Sequence, residues 1–192
     1  MSDKKTDIFN SGRELFYSKG FKETNVSDIA KMAGIGVGTF YNYYSSKEKL
    51  FLEVYIKENE QVKKRIVESL DPNGDPVTVV QKFVTQMVST MNSNLILKEW
   101  YNRDIFSELE QYYHQEERNT ECFMQSFCAD LIKKWKAEGK IRNDLDDELV
   151  LAMFDSLAYI DTHKEEIGIH HFPQIIGYLA EFIMKGLTDY RK

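Results

Sequence analysis

Residues 36–47 carry side chains suited to contacts with the edges of paired bases and with a phosphate backbone. Val37 is a small apolar residue that can touch a thymine methyl group, and Asn42 can form two hydrogen bonds with adenine. Gly36 and Gly38 flank Val37, so the backbone at this point is open to close approach by a partner. The groups suited to phosphate contacts are the hydroxyls of Thr39, Tyr41 and Tyr43 and the ammonium of Lys47.

Two short helices joined by a tight turn are needed to present these groups. The first of them begins after Thr24 or Asn25, whose side chains can accept hydrogen bonds from first-turn amides, and is predicted to end at Gly34. The next helix is predicted over residues 37–43. Together with a preceding helix over residues 3–19, this pattern indicates a helix-turn-helix, whose recognition helix lies in the major groove of DNA.

The rest of the chain has helical periodicity and no strand-like alternation. Its clearest loop is the DPNGDP segment at residues 71–76. We therefore predict an all-α fold of about nine helices. An N-terminal three-helix DNA-binding domain of the helix-turn-helix type is expected over residues 1–48, and a larger helical domain for effector binding and dimerisation over residues 49–192.

The net charge of −6 by itself argues against a polyanionic partner, but this charge is unevenly distributed along the chain. Residues 1–50 contain eight Lys and Arg against six Asp and Glu, whereas the remaining residues contain 17 basic and 25 acidic side chains. The acidity therefore belongs to the larger domain, and the local charge of the docking face is what governs DNA binding. With 42% hydrophobic residues, the chain is not expected to be disordered.

The composition also indicates where the protein works. The sequence has no run of eighteen apolar residues and opens with charged residues, so we expect no association with a membrane. Cys122 and Cys128 are six residues apart on a predicted helix and point to different faces, which favours reduced thiols and a cytoplasmic location.

Catalytic and metal-binding patterns are absent from the sequence. His163, His170 and His171 occur without the H-E-x-x-H or paired E-x-x-H spacing of metal sites in helical proteins. There is also no phosphate-binding P-loop and no G-x-S-x-G nucleophile motif. We therefore expect no enzymatic activity, no metal and no cofactor.

Large, soft and aromatic side chains in the larger domain fit the lining of an apolar ligand pocket, although plain core packing explains the same residues. The candidate pocket residues are Phe83, Met87, Met91, Trp100, Tyr101, Phe106, Phe123, Met124 and Phe127.

The last two predicted helices, over residues 146–166 and 171–190, are apolar on more than one face and need a second partner. We expect them to form a four-helix bundle across the two-fold axis of a homodimer. The candidate interface residues are Met153, Leu157, Ile160, Ile175, Leu179, Phe182, Ile183 and Gly186.

The segment from residue 8 to residue 50 resembles the TetR family of bacterial transcriptional regulators. The matching residues follow without a gap and are Ile8, Leu15, Phe16, Gly20, Phe21, Thr24, Ile29, Ala30, Ala33, Gly34, Gly38, Thr39, Phe40, Tyr41, Tyr43, Tyr44, Ser46, Lys47, Glu48 and Leu50. The phosphate-contacting residues that the resemblance implies are Thr24, Thr39, Tyr41, Tyr43 and Lys47. The base-facing residues that it implies are Val37, Gly38 and Asn42. It also implies a small-molecule inducer site in the larger domain.

These features favour a ligand-responsive transcriptional regulator. Its expected partners are a double-stranded DNA operator, an unknown and largely apolar small-molecule effector, and a second copy of the chain. As a repressor, it would bind a near-palindromic operator as a homodimer and be released by the effector. Two other hypotheses stay open: a helical small-molecule-binding or enzymatic protein whose motif is vestigial, and a module that uses the motif to hold another protein.

Overall fold

The computed structural model describes residues 3–102, 105 and 123–189, and within these residues it contains helices and turns but no β-strand. The α-helices of this part are α1 (Lys4–Glu23), α2 (Val26–Met32), α3 (Val37–Tyr41), α4 (Lys47–Glu68), α5 (Pro76–Ser93), α6 (Phe123–Ala137), α7 (Asp147–Thr162), α8 (Lys164–Ile167) and α9 (Gln174–Thr188). Two 3₁₀ helices cover Leu97–Tyr101 and Ile169–His171. The predicted all-α fold is confirmed.

The helices form two compact units. The first unit comprises Met1–Val62 and Thr90–Asn119, and the second comprises Lys63–Ser89 and Thr120–Lys192. The helix-turn-helix segment belongs to the first unit, and α4 and α5 each contribute residues to both. The predicted boundary between residues 48 and 49 is a functional one that packing does not test, so it stays a prediction.

Two glycines shape α1. Gly12 is buried, and a Cβ atom at this position would lie 2.6 Å from Cδ2 of Leu50, so the glycine allows α1 to pack closely against α4. Gly20 has φ +81 and interrupts the helical conformation at the point where the sequence predicts the end of the helix. The chain then makes a further short turn to Glu23.

Aromatic rings from α1 and α4 occupy the core of the first unit. The ring centre of Phe51 lies 5.0 Å from that of Phe16 and 4.8 Å from that of Phe21, and both contacts are edge-on. The buried apolar residues around these rings are Ile8, Leu15, Ile29, Ala30, Phe40, Tyr44, Leu50 and Val54. The helix α2 packs against α1, and α3 packs against α2, with Ile29 and Phe40 buried in this core.

The second unit has its own core, built from α5, α6, α7 and α9, from the turn after α4 and from the loop after α6. Its buried members are Leu70, Val79, Leu131, Ile132, Trp135, Ile141, Val150, Met184 and Leu187. The loop between α4 and α5 is tied to this unit by Lys140, whose ammonium donates to the carbonyl oxygen of Asn73 at 2.6 Å. Asp75 then caps α5 by accepting a hydrogen bond from the amide of Thr78 at 2.9 Å.

Two predicted helices differ from the observed ones. The helical periodicity of the sequence predicts a helix over residues 95–113, but this segment starts as the 3₁₀ helix Leu97–Tyr101, and the side chain of Asn94 accepts the amides of Ile96 and Leu97. Of its later residues, 103–104 and 106–113 lie outside the described part. The helix expected over residues 146–166 is broken at His163, whose φ of −103 and ψ of +24 separate α7 from α8.

No helix in the described part of the chain is both long and apolar enough to cross a membrane. The same residues contain no group of three or more His, Cys, Asp or Glu side chains placed to hold a metal ion. Both statements concern residues 3–102, 105 and 123–189 only.

Candidate nucleic-acid interface

The turn between α2 and α3 determines where α3 begins. Asn25 caps α2, and its side-chain oxygen accepts a hydrogen bond from the amide of Asp28 at 2.9 Å. At the other end of α2, Gly34 adopts φ +67, a conformation that glycine reaches without steric cost. The amide of Ile35 donates to the carbonyl oxygen of Ala30 at 2.9 Å and closes the turn. The helix α2 thus ends at Met32, two residues before the predicted end, and Gly34 lies in the turn that follows it.

The short helix α3 turns one large side chain inward and presents the others. Phe40 is fully buried in the core of the first unit. The predicted contact residues on or directly after α3 are Val37, Gly38, Thr39, Tyr41, Asn42 and Tyr43, and all except the half-buried Thr39 are exposed. Val37 and Tyr41 keep 43% and 53% of their surface accessible, although both are large hydrophobic residues. The structure therefore brings these six residues together around one exposed helix.

Gly36 and Gly38 occupy this exposed surface, and no packing contact in the described fold requires glycine there. A Cβ atom added at either position would meet nothing within 4 Å. Gly36 also has an ordinary φ of −78. Because glycine is about 1 kcal/mol less favourable than alanine in a helix, Gly38 lowers the intrinsic stability of α3. The space beside both residues is open to a partner outside the chain.

Thr24 and Lys47 are the two predicted phosphate contacts outside α3, and both form hydrogen bonds within the fold. Thr24 is 1% exposed, and its hydroxyl donates to the carbonyl oxygen of Gly20 at 2.8 Å. The ammonium of Lys47 donates to the carbonyl oxygens of Phe21 and Thr24, each at 2.9 Å. An ammonium has three donors, so these two bonds leave one N–H of Lys47 for a further contact. A DNA contact by either residue stays a prediction.

A charged cluster joins α1 to α4 below this surface. Glu53 lies 3.3 Å from the ammonium of Lys5 and 3.0 Å from that of Lys57. Partial burial acts to raise the pKa of Glu53, but the hydrogen bond from Lys57 and the charge of Lys5 outweigh it and lower the pKa. Burial, followed by the charge of Glu53, raises the pKa of Tyr44, so its hydroxyl stays protonated.

Comparison with known proteins identifies the segment. A model of the tetR family of bacterial regulatory proteins matches residues 8–54. The matched interval contains most of α1, the whole of α2 and α3 and the start of α4, which are the elements whose geometry is given above. Over residues 8–54, the chain carries the DNA-binding segment of the TetR family. It is a transcriptional regulator with a helix-turn-helix DNA-binding segment.

Similarity to individual TetR-family proteins extends over nearly the whole regulator. The HTH-type transcriptional repressor KstR2 of Mycolicibacterium smegmatis is 23% identical over 193 residues, which cover 98% of this chain and 92% of KstR2. The structure of FadR from Bacillus subtilis in complex with stearoyl-CoA has a TM-score of 0.59 at 17% identity, covering 95% of this chain and 98% of FadR. The structure of RolR in complex with resorcinol has a TM-score of 0.65 at 16% identity, covering 96% and 87%. The two structural similarities show a shared fold.

The predicted effector-pocket residues of the regulator fall into both units. Phe83, Met87, Phe123, Met124 and Phe127 belong to the second unit, whereas Met91, Trp100 and Tyr101 belong to the first. Phe106 lies outside the described residues. A groove on the second unit is lined instead by Gln125, Ser126, Ala129, Glu148, Leu151 and Asp155, and contains none of the predicted pocket residues. The position of an effector cavity therefore stays a prediction.

The predicted dimer residues lie on α7 and α9, which pack against each other in the second unit. Met153, Leu157, Ile160, Ile175, Leu179 and Ile183 are half-buried, whereas Phe182 and Gly186 are exposed. The same two helices expose aromatic residues that sequence reasoning did not select, namely Tyr159 and Tyr178. Tyr178 precedes Phe182 by one turn, and their rings stack with centres 6.4 Å apart.

Sequence reasoning also missed Glu58, which is 4% exposed and pairs with Arg13 at 2.8 Å. A local signal for it exists, because Glu58 interrupts the apolar periodicity of α4 at a position where Tyr55 and Val62 face the core. A carboxylate on the buried face of a helix requires a partner. The identity of that partner, 45 residues earlier in the chain, has no local signal.

Proposed function

We propose that this regulator is a repressor that binds a near-palindromic DNA operator as a homodimer and releases it when a small-molecule effector binds. The observation that carries the proposal is the exposed surface of α3. There, an accessible apolar residue, two glycines that the fold does not require and an exposed Asn42 lie on one short helix or directly beside it. These are the groups that base-edge recognition needs.

In the proposed complex, α3 enters the major groove. Val37, Gly38 and Asn42 face the bases, and Thr39, Tyr41 and Tyr43 contact phosphates on either side. Lys47 donates to a phosphate with the N–H that its two internal hydrogen bonds do not use. Thr24, at the start of the motif, also contacts a phosphate. The contacts with phosphates release counterions, so the affinity falls steeply as salt is raised, even though the whole chain carries a net charge of −6.

A homodimer supplies the second copy of α3. Phe182 and Tyr178 on α9 are 60% and 61% exposed, and Tyr159 on α7 is 65% exposed. Exposed aromatic residues clustered on adjacent helices are typical of a surface that another chain covers. Two copies joined through α7 and α9 would present their recognition helices to successive major grooves, about 34–36 Å apart.

We place effector binding in residues 49–192 and propose a largely apolar molecule. Five of the proposed contacts lie in the second unit, namely Phe83, Met87, Phe123, Met124 and Phe127. Phe123 is 47% exposed, and its ring stacks on that of Phe127 with centres 6.3 Å apart. The relatives of known structure hold ligands as different as stearoyl-CoA in FadR and resorcinol in RolR, so the fold accommodates several chemistries. The effector acts by binding more tightly to the state that cannot span the operator.

Selection of duplex DNA tests the central claim. The purified chain is incubated with a random-sequence duplex pool, and bound duplexes are recovered through several rounds. The proposal expects enrichment of an inverted repeat whose half-sites are one helical turn apart, with an affinity that falls as salt is raised. Recovery of duplexes without a shared sequence at every salt concentration would contradict the proposal and favour a protein-interaction role for the motif.

Sedimentation velocity tests the dimer. The wild-type chain is expected to sediment as a dimer at micromolar concentration, and Phe182→Glu is expected to sediment as a folded monomer because it buries a charge in the interface. Tyr17→Glu is the matched control, since Tyr17 is an equally exposed aromatic residue on α1 (54%), outside the proposed interface. A wild-type monomer, or an F182E variant that remains a dimer, would contradict this interface.

A further inference from the structure

A buried carboxylate connects three segments of the first unit. Glu58 on α4 is 4% exposed, and its Oε2 accepts hydrogen bonds from Arg13 of α1, from Nη2 at 2.8 Å and from Nε at 3.0 Å. Its Oε1 accepts a hydrogen bond from Nδ2 of Asn94 at 3.0 Å. The two oxygens of one side chain are thus held by two different parts of the chain.

Asn94 also forms hydrogen bonds with the start of the following 3₁₀ helix. Asn94 is itself buried, and its Oδ1 accepts the amide of Ile96 at 2.9 Å and that of Leu97 at 3.2 Å. The same side chain therefore accepts the amides at the start of the helix Leu97–Tyr101 with its oxygen and donates to Glu58 with its nitrogen. Any displacement of this helix changes the hydrogen bond to Glu58.

The 3₁₀ helix Leu97–Tyr101 meets the first helices at two further places. The ring of Trp100 stacks on that of Tyr55 in α4, with centres 5.3 Å apart and an interplanar angle of 17°. Oε1 of Glu99 lies 3.4 Å from the position that a Cβ atom would take at Gly20, where α1 is interrupted. Residues 94–101 therefore contact α4 and lie close to α1, the helix against which α2 packs.

We propose that Glu58 is a positioning residue through which residues 94–101 set the orientation of α1 and, with it, the affinity of the recognition helix for DNA. The inference rests on the proposed function and assigns the regulation of that site to a named side chain. When residues 94–101 shift, Asn94 withdraws its donor from Oε1. Leaving one oxygen of a buried carboxylate without a donor costs free energy, so Glu58 reorients, and Arg13 and α1 follow it.

The proposed coupling depends on hydrogen bonds of Glu58 that are either formed or broken, so the arrangement has discrete rather than graded states. With both partners in place, the two oxygens of Glu58 are satisfied. Removing one partner leaves a buried charge incompletely bonded, which is strongly unfavourable. The three groups are therefore coupled energetically although their backbone positions are up to 81 residues apart, as for Arg13 and Asn94. Coupling of this kind typically changes affinity about 5–150-fold.

The test is a set of mutational cycles read out as DNA affinity, with the duplex that the wild-type chain selects from a random-sequence pool as the probe. Arg13→Met and Asn94→Ala are measured singly and together, first with Glu58 present and then in an E58Q background. Val62→Ala is the matched control, because Val62 is buried one turn further along α4 and carries no polar group. Circular dichroism and thermal unfolding identify the temperature range in which every variant is folded.

In that range, E58Q is expected to weaken binding about tenfold, whereas V62A lowers the melting temperature and leaves the affinity unchanged. The effects of R13M and N94A are expected to be non-additive with Glu58 present and additive with E58Q. Three outcomes would each overturn the proposal. They are wild-type DNA affinity in folded E58Q, an equal loss of DNA affinity in V62A, and additive effects of R13M and N94A in both backgrounds. Should E58Q fail to fold, the DNA affinities of N94A and V62A are compared instead, because N94A keeps the Arg13–Glu58 pair. A weaker affinity in N94A than in V62A supports the proposal, and equal affinities overturn it. A wild-type chain that selects no duplex refutes the proposed function itself.

Discussion

The ammonium of Lys47, at the start of α4, donates a hydrogen bond to the carbonyl oxygen of Phe21, at the end of α1, at 2.9 Å. The same ammonium lies 4.1 Å from the centre of the Phe21 ring and also bonds the carbonyl oxygen of Thr24. Lys47 therefore adds side-chain hydrogen bonds to one carbonyl group at the end of α1 and to one directly after that helix. It joins the helix before the helix-turn-helix to the helix after it.

Lys47→Met is expected to lower the free energy of unfolding by about 1–3 kcal/mol, because two hydrogen bonds from a charged donor are lost. Urea unfolding monitored by circular dichroism measures the change. The exposed Lys64, also on α4, supplies the control: Lys64→Met is expected to stay within about 0.5 kcal/mol of the wild type. Equal stability of the two variants would show that the Lys47 bonds contribute nothing to the fold.

Gly12→Ala is expected to destabilise the chain by about 1–3 kcal/mol, although alanine favours helices, because its Cβ atom would overlap the buried side chain of Leu50. Shortening that side chain tests the cause. In a Leu50→Val background, the same glycine substitution is expected to cost less. Thermal unfolding of the four proteins gives the coupling, and strictly additive effects would assign the role of Gly12 to something other than this contact.

Gly38→Ala is expected to change stability and DNA binding in opposite directions. The added methyl group meets nothing within 4 Å in the chain, so helix propensity alone raises the free energy of unfolding by about 0.5–1 kcal/mol. Docked in a groove, the same methyl group would displace DNA and weaken binding about tenfold. Fluorescence anisotropy with the selected duplex measures the second effect. Unchanged affinity would mean that the groove does not approach Gly38.

Asn42→Ala is expected to relax the sequence preference at one base pair in each half-site and to cost about 1–3 kcal/mol of binding free energy. Asn42 is exposed and ends α3, so its removal leaves no buried group unpaired and the fold intact. A repeated duplex selection with the variant checks this. If the selected half-site keeps every preference of the wild type, Asn42 does not read a base.

Acidification is expected to weaken the cluster around Glu53. Its pKa in the folded chain lies below the ordinary value of 4.5, so its contribution to stability is complete above that pH and is lost as the pH falls through the folded-state pKa. The stability difference between the wild type and Glu53→Gln should therefore shrink on titration from pH 7 to below 4.5. Lys57→Met removes the hydrogen bond to Glu53 and should move this loss to higher pH. A difference independent of pH would contradict the assignment.

The sequence by itself determined the helix-turn-helix, because the signals for it are local. Each signal acts over only one or two turns of helix. In the structure, Gly34 has a positive φ after α2, and Asn25 caps the start of that helix. The periodic apolar residues of these short helices are a third local signal. The continuous spacing of these signals from residue 8 to residue 50 was sufficient to indicate the TetR family. The recognition surface around Val37 and Asn42 follows from the same local pattern.

The tertiary structure decided which polar side chains are already engaged. Thr24 and Lys47 read as phosphate ligands from their types and positions, yet in the fold their donors bind carbonyl oxygens of the α1 end. The tertiary structure also shows the helix break at His163 and the 3₁₀ helix after Asn94, and the side chain of each residue forms a hydrogen bond there. The pairing of Glu58 with Arg13 and Asn94 joins residues 45 and 36 positions away. Such partners are chosen by packing in three dimensions, and no periodicity along the chain encodes them.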